Sequence, residues 1–188
     1  MFRYLALDVE TGGIGSDKSL LTAYFSVMDQ DMVTLDELYL HTKPDNGVYA
    51  VTAEALRING INLIEHESMA LPYREAGQAL YSFLSKHSAN GQYKLIPVGH
   101  NVSFDIKFLC EKLISENSWR HHCSYRVRDT GILGNSLMDA GRIPESISGS
   151  LGSYLEFFRV KPEGALHDAK TDATSCVRLY SKMLELLR

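Results

Sequence analysis

The sequence has few cysteines and no long apolar run. These two features argue against a disulfide-rich protein and against a membrane-spanning one. The three cysteines, Cys110, Cys123 and Cys176, are odd in number and form no CxxC pair. We therefore expect neither a disulfide framework nor a structural zinc site. No apolar stretch reaches the ~18 residues of a membrane span. Asp8 also cuts the N-terminal run short of a signal peptide, so we expect a cytoplasmic protein that makes no membrane contact.

Positive charge is scarce as well. The 19 Lys and Arg residues are outnumbered by 23 Asp and Glu, which gives a formal net charge of -4. This balance argues against a broad basic surface that coats duplex nucleic acid. It does not exclude a nucleic-acid enzyme, because bound cations can reverse the field around acidic ligands. The basic segment at 119–129 either follows substrate phosphates or is a solvated strand face.

The length and the apolar pattern predict one α/β domain over residues 1–188. A chain of 188 residues with 45% hydrophobic and 22% charged residues is long enough for one full core. Strands are predicted at 2–9, 19–28, 32–41, 95–99 and 124–129. The first three should form an antiparallel meander, and the later ones alternate with helices. We therefore predict a mixed five-stranded sheet, with a three-stranded meander plus parallel strands, flanked by helices.

Helices are predicted between and after these strands. Thr52 can cap a short helix that stops at Gly60, and further helices are expected at 72–87, at 102–116, up to about residue 140 and around 151–160. The last helix has the clearest pattern, because its apolar residues recur every three or four positions. These residues are Ala169, Ala173, Val177, Tyr180, Leu184 and Leu187.

The first chemical signal is a pair of carboxylates at the end of the first strand, in "YLALDVETGG". Alternate residues of a strand face the same side, so Asp8 and Glu10 should lie together, with Cα atoms ~6.6 Å apart. Two carboxylates this close repel each other, and Mg²⁺ or Mn²⁺ between them would remove the repulsion. The pair therefore predicts a metal site of the kind that cleaves phosphodiester bonds. The alternative is a helix cap or a surface salt bridge.

A second signal is "PVGHNVSFDIKFL", in which a strand ends and a helix begins. Asn101 is suited to cap this helix, and Asp105 follows four residues later on the same face. A carboxylate there could face the end of the first strand. The alternative is that Asp105 is only a favourable charge in the first turn of a helix.

The third signal is "ALHDAKTDA". On one continuous helix His167 and Asp172 would lie ~140° apart, too far to act on one site. If Asp168 is instead the N-cap, both side chains can point into one cavity. His167 is then suited to take a proton from water, since histidine titrates near neutral pH. The alternative is a histidine with a purely structural role.

These three motifs, in this order and spread over nearly the whole chain, resemble those of the DEDDh family of 3′-to-5′ exonucleases. That family includes proofreading subunits of DNA polymerases, ribonuclease T and oligoribonuclease. The segments "TAEALRINGI" and "VRDTGILG" are similar to two weaker stretches of the family. The resemblance implies a ribonuclease-H-like fold.

The resemblance also implies roles for individual residues. Four carboxylates would bind two divalent ions, Mg²⁺ or Mn²⁺, with Asp8 bridging them: Asp8, Glu10, Asp105 and Asp172. His167 would be the general base, and the histidine subtype is favoured because Asp168 stands where the tyrosine subtype has Tyr. The expected substrate contacts are Thr11, Gly12, Asn101 and Phe104. For Phe104, simple burial in the core is the alternative.

The function implied by the resemblance is hydrolysis from the 3′ end of a single-stranded nucleic acid, releasing nucleoside 5′-monophosphates. We expect DNA as the substrate and a role in repair or proofreading. One alternative is an RNA-directed exoribonuclease or oligoribonuclease, which would use the same catalytic residues. Another is a non-catalytic scaffold for a polymerase, although no carboxylate is missing. A homodimer and a polymerase partner both stay open.

Overall fold

The computed structural model describes residues 3–187, which contain six strands and eight helices. The strands are β1 (Arg3–Thr11), β2 (Leu20–Met28), β3 (Thr34–Lys43), β4 (Leu71–Pro72), β5 (Leu95–Gly99) and β6 (Arg128–Asp129). The helices are α1 (Ala53–Asn59), α2 (Leu63–Met69), α3 (Tyr73–His87), α4 (Ser103–Lys112), α5 (Glu116–His122), α6 (Thr130–Asp139), α7 (Leu151–Phe157) and α8 (Ala169–Glu185).

The strands form one mixed sheet in the order β4-β3-β2-β1-β5-β6. The pairs β1–β2 and β2–β3 are antiparallel, whereas β5 lies parallel to β1 and β6 lies parallel to β5. The predicted α/β class and meander are thus confirmed, with six strands where five were expected. The extra strand, β4, has two residues and is too short to show an alternating pattern.

The structure near the end of the sheet differs from the prediction in two ways. The strand expected at 124–129 is reduced to the two residues of β6. The helix α5 precedes it, capped by the Ser115 hydroxyl, which accepts a hydrogen bond from the Ser118 N–H. The seven-residue helices α5 and α2 were not predicted, whereas the equally short α1 was, because its caps Thr52 and Gly60 mark both of its ends in the sequence.

The two faces of β1 have different neighbours. Leu5, Leu7 and Val9 belong to the main core, which also includes residues of α3 and α4. Asp8 and Glu10 alternate with them, opposite Tyr24 and Thr22 of β2. The residues of this second face pack against α8, where Tyr24 meets Ala169 and Ala173. The start of α8 is therefore brought close to the two carboxylates.

Helix boundaries follow the predicted caps in most places. The Thr52 side chain accepts from the Ala55 N–H at the start of α1, and Gly60 ends this helix with φ 67°. Asp168 caps α8 by accepting from the Thr171 N–H. The predicted apolar stripe of α8 is buried from Ala169 to Tyr180, whereas Leu187 lies beyond the helix and is exposed.

The prediction that Asn101 caps α4 is wrong. Val102 occupies the cap position without a side-chain hydrogen bond, and Asn101 has a left-handed backbone with φ 56°. The physical reason is Asp129, whose carboxylate accepts hydrogen bonds from the N–H groups of Asn101 and Val102 at 3.1 and 2.9 Å. The helix α4 also ends at Lys112, earlier than the expected 116.

Phe2, with which the first strand was predicted to begin, lies outside the described residues.

Within 3–187, no helix combines the length and the apolar character that a membrane crossing requires.

Candidate active site

Three carboxylates from two distant parts of the chain meet beside the sheet. One carboxylate oxygen from each of Asp8, Glu10 and Asp172 lies within 4.8 Å of the others. β1 supplies the first two, and the first turn of α8 supplies the third. They lie in a cleft of about 350 Å³ that is also lined by Asn101, Phe104, Asp105 and His167. Seven of the nine predicted site residues therefore meet in one cavity.

Asp105 lines the same cleft but is not one of the three carboxylates that lie within 4.8 Å of one another. It lies in the first turn of α4 and is buried. Val9 stands between Asp8 and Glu10 in sequence, and its backbone N–H donates a hydrogen bond to Asp105 Oδ1 at 2.9 Å. The carboxylate is thus tied to β1, and its charge contributes to the raised pKa of Asp8.

The electrostatics of the cluster are unfavourable without a cation. Burial raises the pKa of Asp8 well above its usual range, and the neighbouring Asp105, Glu10 and Asp172 raise it further. Burial and the charge of Asp172 raise the pKa of Glu10 to about 8. Burial also raises the pKa of Asp172 to about 6. Within residues 3–187, no lysine or arginine forms an ion pair with these three carboxylates.

His167 precedes the α8 cap and lies at the edge of the cleft. Its backbone is left-handed, with φ 65°, and its N–H donates to Asp172 Oδ2 at 3.2 Å. The side chain is exposed, and it borders both the cleft and an adjoining pocket of about 170 Å³. The predicted arrangement, with Asp168 as the cap and both His167 and Asp172 directed to one cavity, is therefore present.

Thr11 and Gly12 are the two predicted residues that the structure does not bring into the cleft. The Thr11 hydroxyl donates to the backbone oxygen of Gly13 at 2.8 Å. Gly12 is buried, and its N–H donates to Ser19 O at 2.8 Å. A Cβ at position 12 would lie 2.5 Å from the backbone oxygen of Ala50, so only glycine fits there. Both residues hold the loop that follows β1.

Two further residues shape the cleft without having been predicted. His100 lines it, with Nδ1 2.9 Å from the Thr130 hydroxyl, and burial lowers the pKa of this histidine. Asp129 accepts four backbone hydrogen bonds, two from Asn101 and Val102 and two from the start of α6. His100 lies in the quoted segment "PVGHNVSFDIKFL" and Asp129 in "VRDTGILG", each at the end of a strand, where parallel sheets carry functional groups.

The basic segment at 119–129 does not form one strand face. Arg120 lies in α5 and pairs with Glu116 at 2.6 Å. The Arg126 guanidinium lies 5.4 Å from the ring centroid of exposed Tyr125, and Arg128 lies half-buried in β6. The predicted solvated strand face is therefore wrong, because most of its residues are in a helix or a loop.

No protein-family model matches the sequence. Solved structures are similar, however. One structure of exonuclease I superposes with a TM-score of 0.77 at 16% identity, covering 98% of this chain and 41% of that one. E. coli exonuclease I in complex with a dT13 oligonucleotide gives a TM-score of 0.74 at 17% identity, with the same coverage. The zinc-bound complex of the E. coli enzyme with single-stranded DNA gives 0.75 at 17% identity, again covering 98% and 41%.

These similarities concern architecture. The chain spans about two fifths of the length of the exonuclease I chains, and identities of 16 to 17% define a shared fold. The ribonuclease-H-like fold implied by the three motifs is confirmed: over 98% of its length, the chain shares the fold of the matched two fifths of exonuclease I.

Proposed function

We propose that the protein is a metal-dependent 3′-to-5′ exonuclease that hydrolyses single-stranded nucleic acid, with DNA favoured, and releases nucleoside 5′-monophosphates. The observation that carries the proposal is the meeting of Asp8, Glu10 and Asp172 within 4.8 Å, without a protein cation among the described residues. His167 borders the same cleft. A purely structural cluster would gain nothing from this repulsion.

The donor set fits hard divalent cations. All of its ligand atoms are carboxylate oxygens, which Mg²⁺ and Mn²⁺ prefer. Asp172 Oδ1 is buried and has no hydrogen-bond partner in the described part of the chain. Asp8, Glu10 and Asp172 would hold the ions, with Asp105 beside them. When bound, two such ions would stabilise the negative charge that develops on the phosphate and on the leaving oxygen.

The remaining residues of the cleft would act on the water and on the substrate. His167 would accept the proton of the attacking water, because its imidazole is exposed at the cleft and histidine exchanges protons near neutral pH. Phe104 is 37% exposed in the same cleft, so its ring can pack against a base. Asn101 lines the wall beside it.

The preference for DNA is supported by the structural neighbours. Two of them are exonuclease I in complex with a dT13 oligonucleotide and with single-stranded DNA. An RNA-directed enzyme would share every catalytic residue, and the choice would depend on contacts to the 2′-hydroxyl. A scaffold without activity would not need the complete set of carboxylates.

The test is a time course on matched 5′-labelled single-stranded DNA and RNA, with Mg²⁺, Mn²⁺ or EDTA. We expect a ladder that shortens from the 3′ end, that requires the metal, and that is faster on DNA. Asp8→Ala should abolish it while the circular dichroism spectrum is unchanged. His167→Ala should lower the rate on the order of 10²- to 10⁴-fold. Full turnover by Asp8→Ala, or intact strands with the wild type, would refute the proposal.

A further inference from the structure

We propose that Tyr39 is a positioning residue for His167 and that it acts through Asp168. Tyr39 lies on β3, 128 positions before His167 in sequence, and it borders the pocket that adjoins the cleft. The inference rests on the proposed function for the role of His167 as the base. The anchoring of the His167 loop by Tyr39 can be tested without measuring any activity.

The contact between Tyr39 and Asp168 is a direct hydrogen bond. The Tyr39 hydroxyl donates to Asp168 Oδ2 at 2.8 Å. The other oxygen, Oδ1, accepts from the Thr171 N–H at 2.9 Å and caps α8. One carboxylate is thus bound to the helix through one oxygen and to the sheet through the other. The residue that follows His167 is fixed between two rigid elements.

His167 has little else to hold it in place. Its backbone has φ 65°, a left-handed conformation that is costly for a residue other than glycine. A single backbone hydrogen bond, from its N–H to Asp172 at 3.2 Å, ties it to the cleft. Within residues 3–187 its imidazole ring makes no hydrogen bond. The position of the ring therefore depends on how firmly the neighbouring Asp168 is anchored.

Tyr39 is itself well placed to anchor a loop. Its ring stacks on His41, with centroids 5.0 Å apart, and meets Tyr24 edge-on at 5.7 Å. Burial and the hydrogen bond to Asp168 both raise the pKa of Tyr39 above its usual value. The hydroxyl accordingly remains a donor throughout the neutral range.

A neighbouring contact provides the matched control. Lys170 also joins the start of α8 to β3, through an ion pair with Glu37 at 3.1 Å. This pair is exposed and does not involve Asp168. Exposed ion pairs contribute little to stability or position. Lys170→Gln therefore removes a contact between the same two elements while keeping the hydrogen bonds that Asp168 accepts from Tyr39 and Thr171.

The first experiment compares kcat and KM of Tyr39→Phe and Lys170→Gln on a 5′-labelled single-stranded DNA with Mn²⁺. Tyr39→Phe keeps the ring and removes one hydroxyl, and we expect it to lower kcat about 10-fold with KM unchanged, because misplaced catalytic groups lose rate. Lys170→Gln should match the wild type. In a His167→Ala background, Tyr39→Phe should cause no further loss. An equal loss in both backgrounds would overturn the proposal.

The second experiment does not depend on turnover. Amide hydrogen exchange of the segment 164–168 should be faster in Tyr39→Phe than in the wild type, and unchanged in Lys170→Gln. Unchanged exchange in Tyr39→Phe would overturn the positioning role. If the wild type degrades no nucleic acid yet the exchange responds as expected, the proposed function fails while the anchoring of the His167 loop by Tyr39 stands.

Discussion

Two acidic clusters lie on the same sheet, and they differ in how their charges are balanced. On β3, Asp36 Oδ2 accepts from Lys86 Nζ at 2.7 Å and from His87 Nε2 at 2.8 Å. The hydrogen bond from Lys86 has the larger effect and the one from His87 the smaller, and together they lower the pKa of Asp36 to about 2. On β1, the pKa of Glu10 is raised to about 8 by burial and by Asp172. Asp36 is paired with a lysine of its own chain, whereas no lysine or arginine among residues 3–187 pairs with the carboxylates of the β1 cluster.

The difference shows which acidic groups are structural. The carboxylate of Asp36 joins β3 to the end of α3, and its charge is neutralised within the fold. The carboxylates of Asp8, Glu10 and Asp172 are brought together at a cost, because the folded state holds like charges in a partly buried cleft. Carboxylates whose pKa is raised by burial and by one another are typical of functional sites. The balance of charge, more than the number of acids, separates the two clusters.

The largest expected effect comes from adding a divalent cation to the β1 cluster. Mn²⁺ at roughly 100 times its Kd should raise the melting temperature by about 5–10 °C, because a ligand that binds only the folded state stabilises it. Differential scanning fluorimetry in MnCl₂ and in EDTA measures this. Asp8→Ala should lose most of the shift, whereas Asp36→Asn should keep it. An equal shift in wild type and Asp8→Ala would contradict the site.

A smaller effect should follow from removing one charge of the β1 cluster. In EDTA, Glu10→Gln should raise the free energy of unfolding at pH 7 by about 1–2 kcal/mol, because it removes a carboxyl group whose charged form is disfavoured first by burial and then by the charge of Asp172. A carboxylate whose folded pKa is raised gives stability below its unfolded pKa and loses it as the pH rises through the folded value. The gain should therefore grow between pH 4.5 and 8. Urea unfolding at several pH values measures it, and a variant less stable than wild type would contradict the repulsion.

The smallest effect is expected at the balanced cluster, with the opposite sign. Asp36→Asn should lower the melting temperature by about 1–3 °C at pH 7, because exposed ion pairs contribute little. A carboxylate with a lowered folded pKa gives stability above its unfolded pKa, so the difference from wild type should vanish as the pH falls from 3.8 to about 2. Thermal melts across this range measure it. A difference that persists at the acid end would show that lost packing, rather than charge, is responsible.

Local pattern was enough for much of the fold and of the site. The meander, the start and end of α1, and Asp168 as the cap of α8 follow from apolar periodicity and capping residues. The alternation of β1 put Asp8 and Glu10 on one face. Strand β4 and the helices α2 and α5 were not predicted, because two residues cannot show strand alternation and seven residues cover only about two helical turns.

The sequence by itself determined which residue types are available and where most of the longer elements begin, because strand alternation and helix capping depend on neighbours in the chain. Only the tertiary structure decided which of them meet. The packing of α8 on β1 brings Asp172 to Asp8 and Glu10, and Asp129 draws Asn101 away from its expected cap. The hydrogen bond between Tyr39 and Asp168 joins residues that are 129 positions apart. Such contacts depend on the shape of the whole core, which no short stretch of sequence encodes.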